Sequence, residues 1–463
     1  MPLTLNETNV TLTNPVFTNL LNTLQGNILK HHGRTHAYHI FLQFKDGKRN
    51  AARKWLVKFA KTKITSAFKQ LDDSRRRHDD PEFDGGPFFN LSLSVTGYQK
   101  LGVPGAQIPS GDPAFLSRMK NRATILADKP TNWEAPFKKR VDALIIVADQ
   151  NISRVTDEKN KILAEVKTFA HVLQVQKGKV LRNGQGIGIE HFGYADGVSQ
   201  PNFLKAANPA AVEWDDDGAI LNTLLVREPG PTELYGSYFV FRKLEQNVQK
   251  FKTQEQNLPA VKQGDGVAND ELAGAMVVGR FEDGSEVINN FKEKGITDES
   301  QLVNDFDYRS DSPGSATNGS KCPFHAHIRV TNPRGDVPLA FAKRVRLIRR
   351  GIPFNDIGRD EFNLEADQPT GGVGLLFMCY QSSIIQQFEF IQQSWANKGN
   401  IGGRLVGQDA IIGQGSNATN KFLPAKWGVN AGPQPVPRTF KDFVTMQGGE
   451  YFFTPSLVFL KGL

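Results

Sequence analysis

Residue periodicity in the N-terminal half constrains the fold more than any other feature of the chain. His36–Phe44 alternates apolar and polar residues as a strand does. From Asn50 to Asp72, Trp55, Leu56, Phe59, Ala60, Ile64 and Phe68 keep helical spacing, with lysines on the opposite side. Phe88–Val95 reads as a second strand, followed by a short helix near Thr96–Leu101, and the apolar run Val141–Asp149 reads as a buried third. Ser153–Leu173 is amphipathic at helical spacing, and Val175–Leu181 supplies a further strand. The order strand, helix, strand, strand, helix, strand is the split βαβ, ferredoxin-like pattern. It predicts an α+β fold, with a mainly antiparallel sheet and helices on one face.

A similar cycle begins at the strong strand Tyr235–Leu244. Helices follow at Val248–Glu255 and Ala268–Arg280, and Lys321–Arg334 then carries strand-like alternation. Val345–Pro353 ends at a turn, Gly374–Gln381 reads as a buried strand, and Gln386–Trp395 as a helix. No sequence repeat is detectable, yet the element order predicts two copies of one topology. With 463 residues the chain is long enough for two large domains. We expect an N-terminal ferredoxin-like module over residues 1–205 and a C-terminal one over 206–463. Gly184–Gly197 and the acidic loop Trp214-Asp215-Asp216-Asp217-Gly218 form the expected crossover.

Two cysteines, Cys322 and Cys379, are too few for a disulfide framework and fit a reducing compartment. Met1–Lys30 lacks a basic segment followed by an uninterrupted apolar one, and no apolar run of about 18 residues occurs. The expectation is a cytoplasmic protein with no membrane partner. The net charge of +8 favours anionic partners. The basic residues are dispersed, however, apart from Arg75–Arg77 and Lys343–Arg350, and neither run is interleaved with stacking aromatics. Nucleic acid is therefore not an expected partner, and the oligomeric state is left unknown.

Two stretches carry chemistry. Lys321-Cys322-Pro323-Phe324-His325-Ala326-His327-Ile328-Arg329 follows a Gly/Ser/Asp-rich loop, and on a strand His325 and His327 would share a face and could address one ligand. A neutral imidazole is a common ligand of metals and of haem iron, although two histidines at this spacing also serve as ordinary polar positions. Gly186–Pro201 is glycine-rich, and Asp196, between Ala195 and Gly197, suits an Asx-type turn. Gly186-Ile187-Gly188 lacks the third glycine of a dinucleotide-binding loop. The 32 phenylalanines serve either a core or an apolar pocket for a flat aromatic cofactor.

Gly193-Tyr194-Ala195-Asp196-Gly197 matches the GxxDG motif of the dye-decolorising peroxidases. Cys322–Arg329 followed by Thr331-Asn332-Pro333-Arg334 resembles that family's proximal-histidine segment, and Arg349-Arg350-Gly351-Ile352-Pro353-Phe354 resembles its distal-arginine turn. Leu24–Leu29, Gly374–Met378 and Gly448–Ser456 extend the resemblance, in order, over nearly the whole chain. The resemblance implies two ferredoxin-like modules with a haem b, one per chain, held mainly by the C-terminal module.

Carried over residue by residue, the resemblance implies that His327 ligates the iron, with His325 on the proximal wall. Asp196 would be the distal acid–base group and Arg349, four residues before Pro353, the distal cation. An aspartate ionised at mildly acid pH could take a proton from one peroxide oxygen and return it to the other. Arg329 would pair with a haem propionate, Leu375 and Phe377 would pack over the distal face, and Glu389 would accept the N–H of the proximal imidazole. The expected partners are hydrogen peroxide and bulky aromatic reductants, such as anthraquinone-type dyes and phenols. These would be oxidised one electron at a time through Tyr or Trp residues, drawn from Trp214, Tyr235, Tyr380, Trp395, Trp427 and Tyr451. Phe354 stands where some relatives have Tyr. The alternative is a haem-binding or haem-iron-releasing protein with weak peroxidase activity; carriage needs neither Asp196 nor Arg349.

Overall fold

The computed structural model describes residues 3–204, 220–312, 315, 318–415 and 421–463. The N-terminal strands are β1 (His36–Phe44), β2 (Phe88–Leu93), β3 (Ala143–Asp149) and β4 (Ala170–Lys179). Helices α1 (Arg49–Thr62) and α2 (Ala67–Asp79) join β1 to β2, and α3 (Ile152–Val166) joins β3 to β4. The expected helix over 50–72 is thus two helices. The break falls before Ser66, whose side chain caps α2 by accepting from Lys69 N at 3.1 Å. The expected helix over 153–173 stops at Val166, because the chain turns there to start β4.

The C-terminal strands are β5 (Tyr235–Gln246), β6 (Ile348–Arg349), β7 (Ile352–Asn355), β8 (Val373–Gln381) and β9 (Val444–Thr454). Helices α4 (Val248–Glu255) and α5 (Asp270–Val278) lie where spacing predicts them. The expected helix at Gln386–Trp395 is wound in π-helical turns over Ile384–Glu389 and Ile391–Asn397. The expected strand over 321–334 is the main departure. Pro323–Ala326 makes a turn, and α6 (His327–Thr331) is a single helical turn that ends where Asn332, preceding Pro333, is held at φ −147° and ψ 77°.

The strands run β4–β1–β3–β2 in one half and β9–β5–β8–β6 in the other, with β7 also on β8, and all of these pairings are antiparallel. Both halves therefore share one strand order, as two ferredoxin-like modules should. A single sheet crosses the boundary, where β2 meets β9 through Leu93 and Phe453. Gln25, fully buried, completes this seam: its Nε2 donates to Leu91 O and Pro455 O at 2.8 Å each, and Leu91 N donates back to its Oε1 at 2.9 Å. At the far edges β4 returns towards β7, so closely that a Cβ on Gly178 would lie 2.7 Å from Ile352 Cγ2. The acidic loop around Trp214 and the boundary expected at 205/206 adjoin or lie in residues outside those described. Among the described residues no helix is long and apolar enough to cross a membrane.

Candidate active site

Alternation along the C-terminal strands builds one wall of a cavity of about 260 Å³. Arg242 and Leu244 of β5 stand opposite Phe377 and Leu375 of β8, and all four face the cavity, while the alternate residues Phe241, Leu376 and Met378 are buried in the core. The opposite wall comes from the glycine-rich loop carrying Asp196, from α6 and from β6.

His327, the first residue of α6, lines this cavity. Its Nδ1 lies 2.9 Å from Oδ2 of Asp409, whose side chain is wholly buried while that of His327 is 23% exposed. A carboxylate can only accept, so the proton sits on Nδ1, and the Nε2 lone pair is left for the cavity. Burial pulls the His327 pKa down, but the charge and hydrogen bond of Asp409 outweigh it and leave the imidazole above its ordinary value. Asp409 is held in place by Ile411 N and Ile412 N, which donate to its Oδ1 at 2.9 and 2.7 Å.

Asp196 and Arg349 reach the same cavity from two other elements. The Asp196 loop folds back so that Asp196 N donates to Gly188 O at 3.0 Å and Gly197 N donates to Asp196 Oδ1 at 2.7 Å. Gly193 at φ +102° and Gly197 at φ +77° take the left-handed backbone that this turn requires. Arg349, on the short strand β6, donates through Nη2 to Ser199 O at 2.9 Å, and its Nη1 stands 3.4 Å from Asp196 Oδ1. Both side chains remain about a third exposed. Arg350 points elsewhere, giving its donors to the carbonyls of Asn27, Ile28 and Arg349.

Three expected placements are corrected. Arg329, expected at a propionate, is 1% exposed and does not line the cavity. Its guanidinium is taken by Asp336 (Nε at 2.7 Å, Nη2 at 2.8 Å), by Asp311 (Nη1 at 3.2 Å) and by the Cys322 carbonyl. Glu389, expected at the proximal imidazole, instead binds the Arg122 guanidinium at 2.9 and 2.5 Å and accepts from Tyr451 Oη at 3.0 Å. Asp409 holds the place it was given. His325 does not share a strand face with His327, since there is no strand; its Nε2 lies 3.1 Å from Phe422 O on another cavity. Burial lowers its pKa to about 4, so it is neutral.

Sequence reasoning passed over two residues here. Arg334, inside the quoted Thr331–Arg334 segment, lines the cavity and donates to Ser199 Oγ at 2.6 Å and Asn304 O at 2.5 Å. Asp409 lies 82 residues from its histidine, and no local pattern marks it. The only signal for it is general: a buried imidazole needs an acceptor for its second nitrogen. Trp395 also lines the cavity, packed edge-on against Phe341 and Phe390. Tyr235, Tyr380 and Tyr451 are buried and do not line it; half-buried Trp427 lies off it too, and Trp214 is outside the described residues.

The family model described as "DyP dimeric alpha+beta barrel domain" matches residues 23–182, and "Dyp-type peroxidase, C-terminal" matches 192–407. The chain is 38% identical to the multifunctional dye peroxidase DyP2 of Amycolatopsis sp. over 471 residues, with 96% of each chain covered. Among solved structures it is similar to a DyP-type peroxidase of Anabaena sp., with a TM-score of 0.87, 37% identity, and 99% and 98% of the two chains covered. A dye-decolorising peroxidase solved in complex with 2,6-dimethoxyphenol matches with a TM-score of 0.78 and 27% identity over 95% of this chain and 98% of that one. The fold, the order of the motifs and these matches agree: the chain belongs to the dye-decolorising peroxidase family, whose members are haem peroxidases, and it is a peroxidase.

Proposed function

We propose that this chain binds one haem b in the cavity, with His327 as the iron ligand, and uses Asp196 and Arg349 to reduce hydrogen peroxide at the expense of bulky aromatic reductants. The observation that carries the reading is the His327–Asp409 pair, which leaves one imidazole nitrogen free in a cavity that Asp196 and Arg349 also line. The residues suit a haem: Leu375, Phe377 and Ile328 offer apolar contact to a flat macrocycle, and Arg334 and Arg280 offer cations for its propionates. When bound, the haem supplies the two electrons that cleave the peroxide O–O bond.

The protein's own part is proton handling and charge. Asp196 takes the proton from one peroxide oxygen and delivers it to the other, which leaves as water. Arg349 holds fixed positive charge beside the separating oxygens without needing to reorganise, a contribution of roughly 3–4 kcal/mol where such donors have been removed elsewhere. Asp409 keeps the His327 ring in one tautomer and one orientation and raises its basicity as a ligand. Anthraquinone-type dyes and phenols are the proposed reductants, and Trp395, on the cavity wall, is the proposed relay for those too large to enter. Two buried free thiols, Cys322 and Cys379, suit a cytoplasmic setting.

The test is an absorption spectrum of haem-reconstituted protein before and after one equivalent of hydrogen peroxide, followed by a reducing anthraquinone dye. A Soret band that changes with peroxide and returns with dye is expected. A Soret band indifferent to peroxide would overturn the peroxide chemistry in favour of haem carriage or iron release.

A further inference from the structure

A second cavity, of about 220 Å³, lies in the N-terminal module and shares no lining residue with the first. Its wall includes Lys30, His32, Arg34, Gln70 and Arg77, with one carboxylate, that of Asp73. The charge around it does not balance. Of the nearby carboxylates, Asp73 is held by Lys69 at 2.8 and 2.9 Å, and Asp84 and Asp149 are both held by Arg154 at 2.5–2.7 Å. Among the described residues, Lys30, Arg34 and Arg77 have no carboxylate within ion-pairing distance. Lys30 Nζ donates to Ser74 Oγ at 2.5 Å, and Arg34 Nε to Gly86 O at 3.2 Å. The Nη groups of Arg34, a side chain only 6% exposed, find no acceptor among the described residues, and neither does the Arg77 guanidinium. The two guanidiniums and the Asp73 carboxylate surround one point: a Cβ on Gly85 would lie 2.8 Å from Arg34 Nη2 and 3.3 Å from both Arg77 Nη2 and Asp73 Cγ.

The cavity wall is also held ready. The Gln70 carboxamide donates to Lys30 O and His31 O at 2.9 and 2.7 Å and accepts from Asn27 N at 2.7 Å, so the loop bearing Lys30 and His32 is fixed by the protein's own hydrogen bonds. Burial and the Arg77 charge both lower the pKa of Lys30, and the same two causes lower that of Arg34 against the opposing charges of Asp73, Asp149 and Asp84. Crowded, desolvated cations without counter-ions are costly to maintain, and a bound anion offsets that cost.

We propose that this cavity is a binding site for a small phosphate-type oxyanion, held by the guanidiniums of Arg34 and Arg77 and the ammonium of Lys30. Paired guanidiniums match the geometry of a tetrahedral oxyanion, and a dianion matches a surplus of several positive charges better than a carboxylate does.

The test is thermal unfolding of the haem-loaded protein, with calorimetric titration, in inorganic phosphate against sodium chloride at matched ionic strength. A ligand that binds only the folded state raises Tm with its concentration. Phosphate is expected to raise Tm saturably, and Arg34→Gln and Arg77→Gln are each expected to weaken its affinity at least tenfold. In phosphate-free buffer Arg77→Gln, at a half-buried position on α2, is expected to unfold at a temperature no lower than the parent, because like charge is relieved. Equal Tm shifts in phosphate and chloride, or parental phosphate affinity in both variants, would overturn the proposal. Methyl phosphate separates the sources: tighter binding than inorganic phosphate identifies a phosphomonoester as occupant, weaker binding the free anion, and both outcomes uphold the site.

Discussion

The two ionic pairs that face the main cavity are built in opposite ways. His327 and Asp409 meet at 2.9 Å, with the carboxylate sealed from solvent and anchored by two backbone amides. Asp196 and Arg349 stand 3.4 Å apart, each about a third exposed, on a loop and on a two-residue strand. A group that must hold one geometry through every turnover is best buried and tied down. One that must pick up and release a proton needs a loose partner and access to water. The difference fits the proposed roles, positioning for the first pair and proton transfer for the second.

The largest effect expected from breaking that contrast is that of His327→Ala, which removes the proposed iron ligand. The Soret band of the reconstituted protein should be weakened or abolished, and an unchanged spectrum would sink the ligand assignment. Asp196→Asn should keep the haem and slow dye oxidation by about 10²- to 10⁴-fold, the range for a lost general acid–base group. Stopped-flow mixing with peroxide separates that loss from any loss of dye binding. Arg349→Leu should cost about 10²- to 10³-fold in the same peroxide step, with haem retained. Asp409→Asn keeps a hydrogen-bond acceptor for Nδ1 but loses its charge. Haem titration should show an affinity about 10- to 100-fold weaker.

The smallest effect concerns Glu190, which lines the cavity beside the Asp196 loop and accepts from Phe192 N at 2.8 Å, Tyr194 N at 3.1 Å and the Gln246 carboxamide. Burial pushes its pKa from the ordinary 4.5 up to about 7. The folded state therefore binds this proton more tightly than the unfolded chain. Its stabilisation is complete below pH 4.5 and is lost as pH rises through about 7. Thermal unfolding of the haem-free protein should show Glu190→Gln with a flatter Tm profile than the parent between about pH 5 and pH 8. A variant whose profile falls as steeply as the parent's would place the titrating group elsewhere.

The N-terminal module was legible because each of its strands is long and either alternating or wholly apolar, and because α1 and α3 carry an apolar stripe, so periodicity alone orders them. The histidine segment misled for a local reason. Phe324, Ala326, Ile328 and Val330 mimic alternation, yet Pro323 starts a turn and Asn332-Pro333 stops the helix after five residues. A helix that short has no periodicity to read. Nothing local marks the true partners of Arg329: Asp311 ends a 3-10 turn before it and Asp336 lies in the turn after α6, and they meet it only on folding. Glu389, between Phe388 and Phe390, carries no local sign of its partner. Its carboxylate is claimed by Arg122, 267 residues away. Long-range partners of this kind leave no trace in spacing, whereas Asp196 and Arg349, which line the cavity, are marked by local motifs.

The Gln25 seam bears on how the chain comes into being. The carboxamide of Gln25 serves β2 and a carbonyl 430 residues beyond itself, so the contact can form only once Pro455 has been made. A nascent chain still short of Pro455 leaves Gln25 Nε2 with one of its two partners and the β2 edge uncovered. Loop closure over such a separation is slow compared with local pairing, and an open strand edge invites pairing with other chains in the interval. Closure of the full sheet therefore waits for Pro455, and loss of that residue would be felt first at β2, more than 360 residues earlier in the chain.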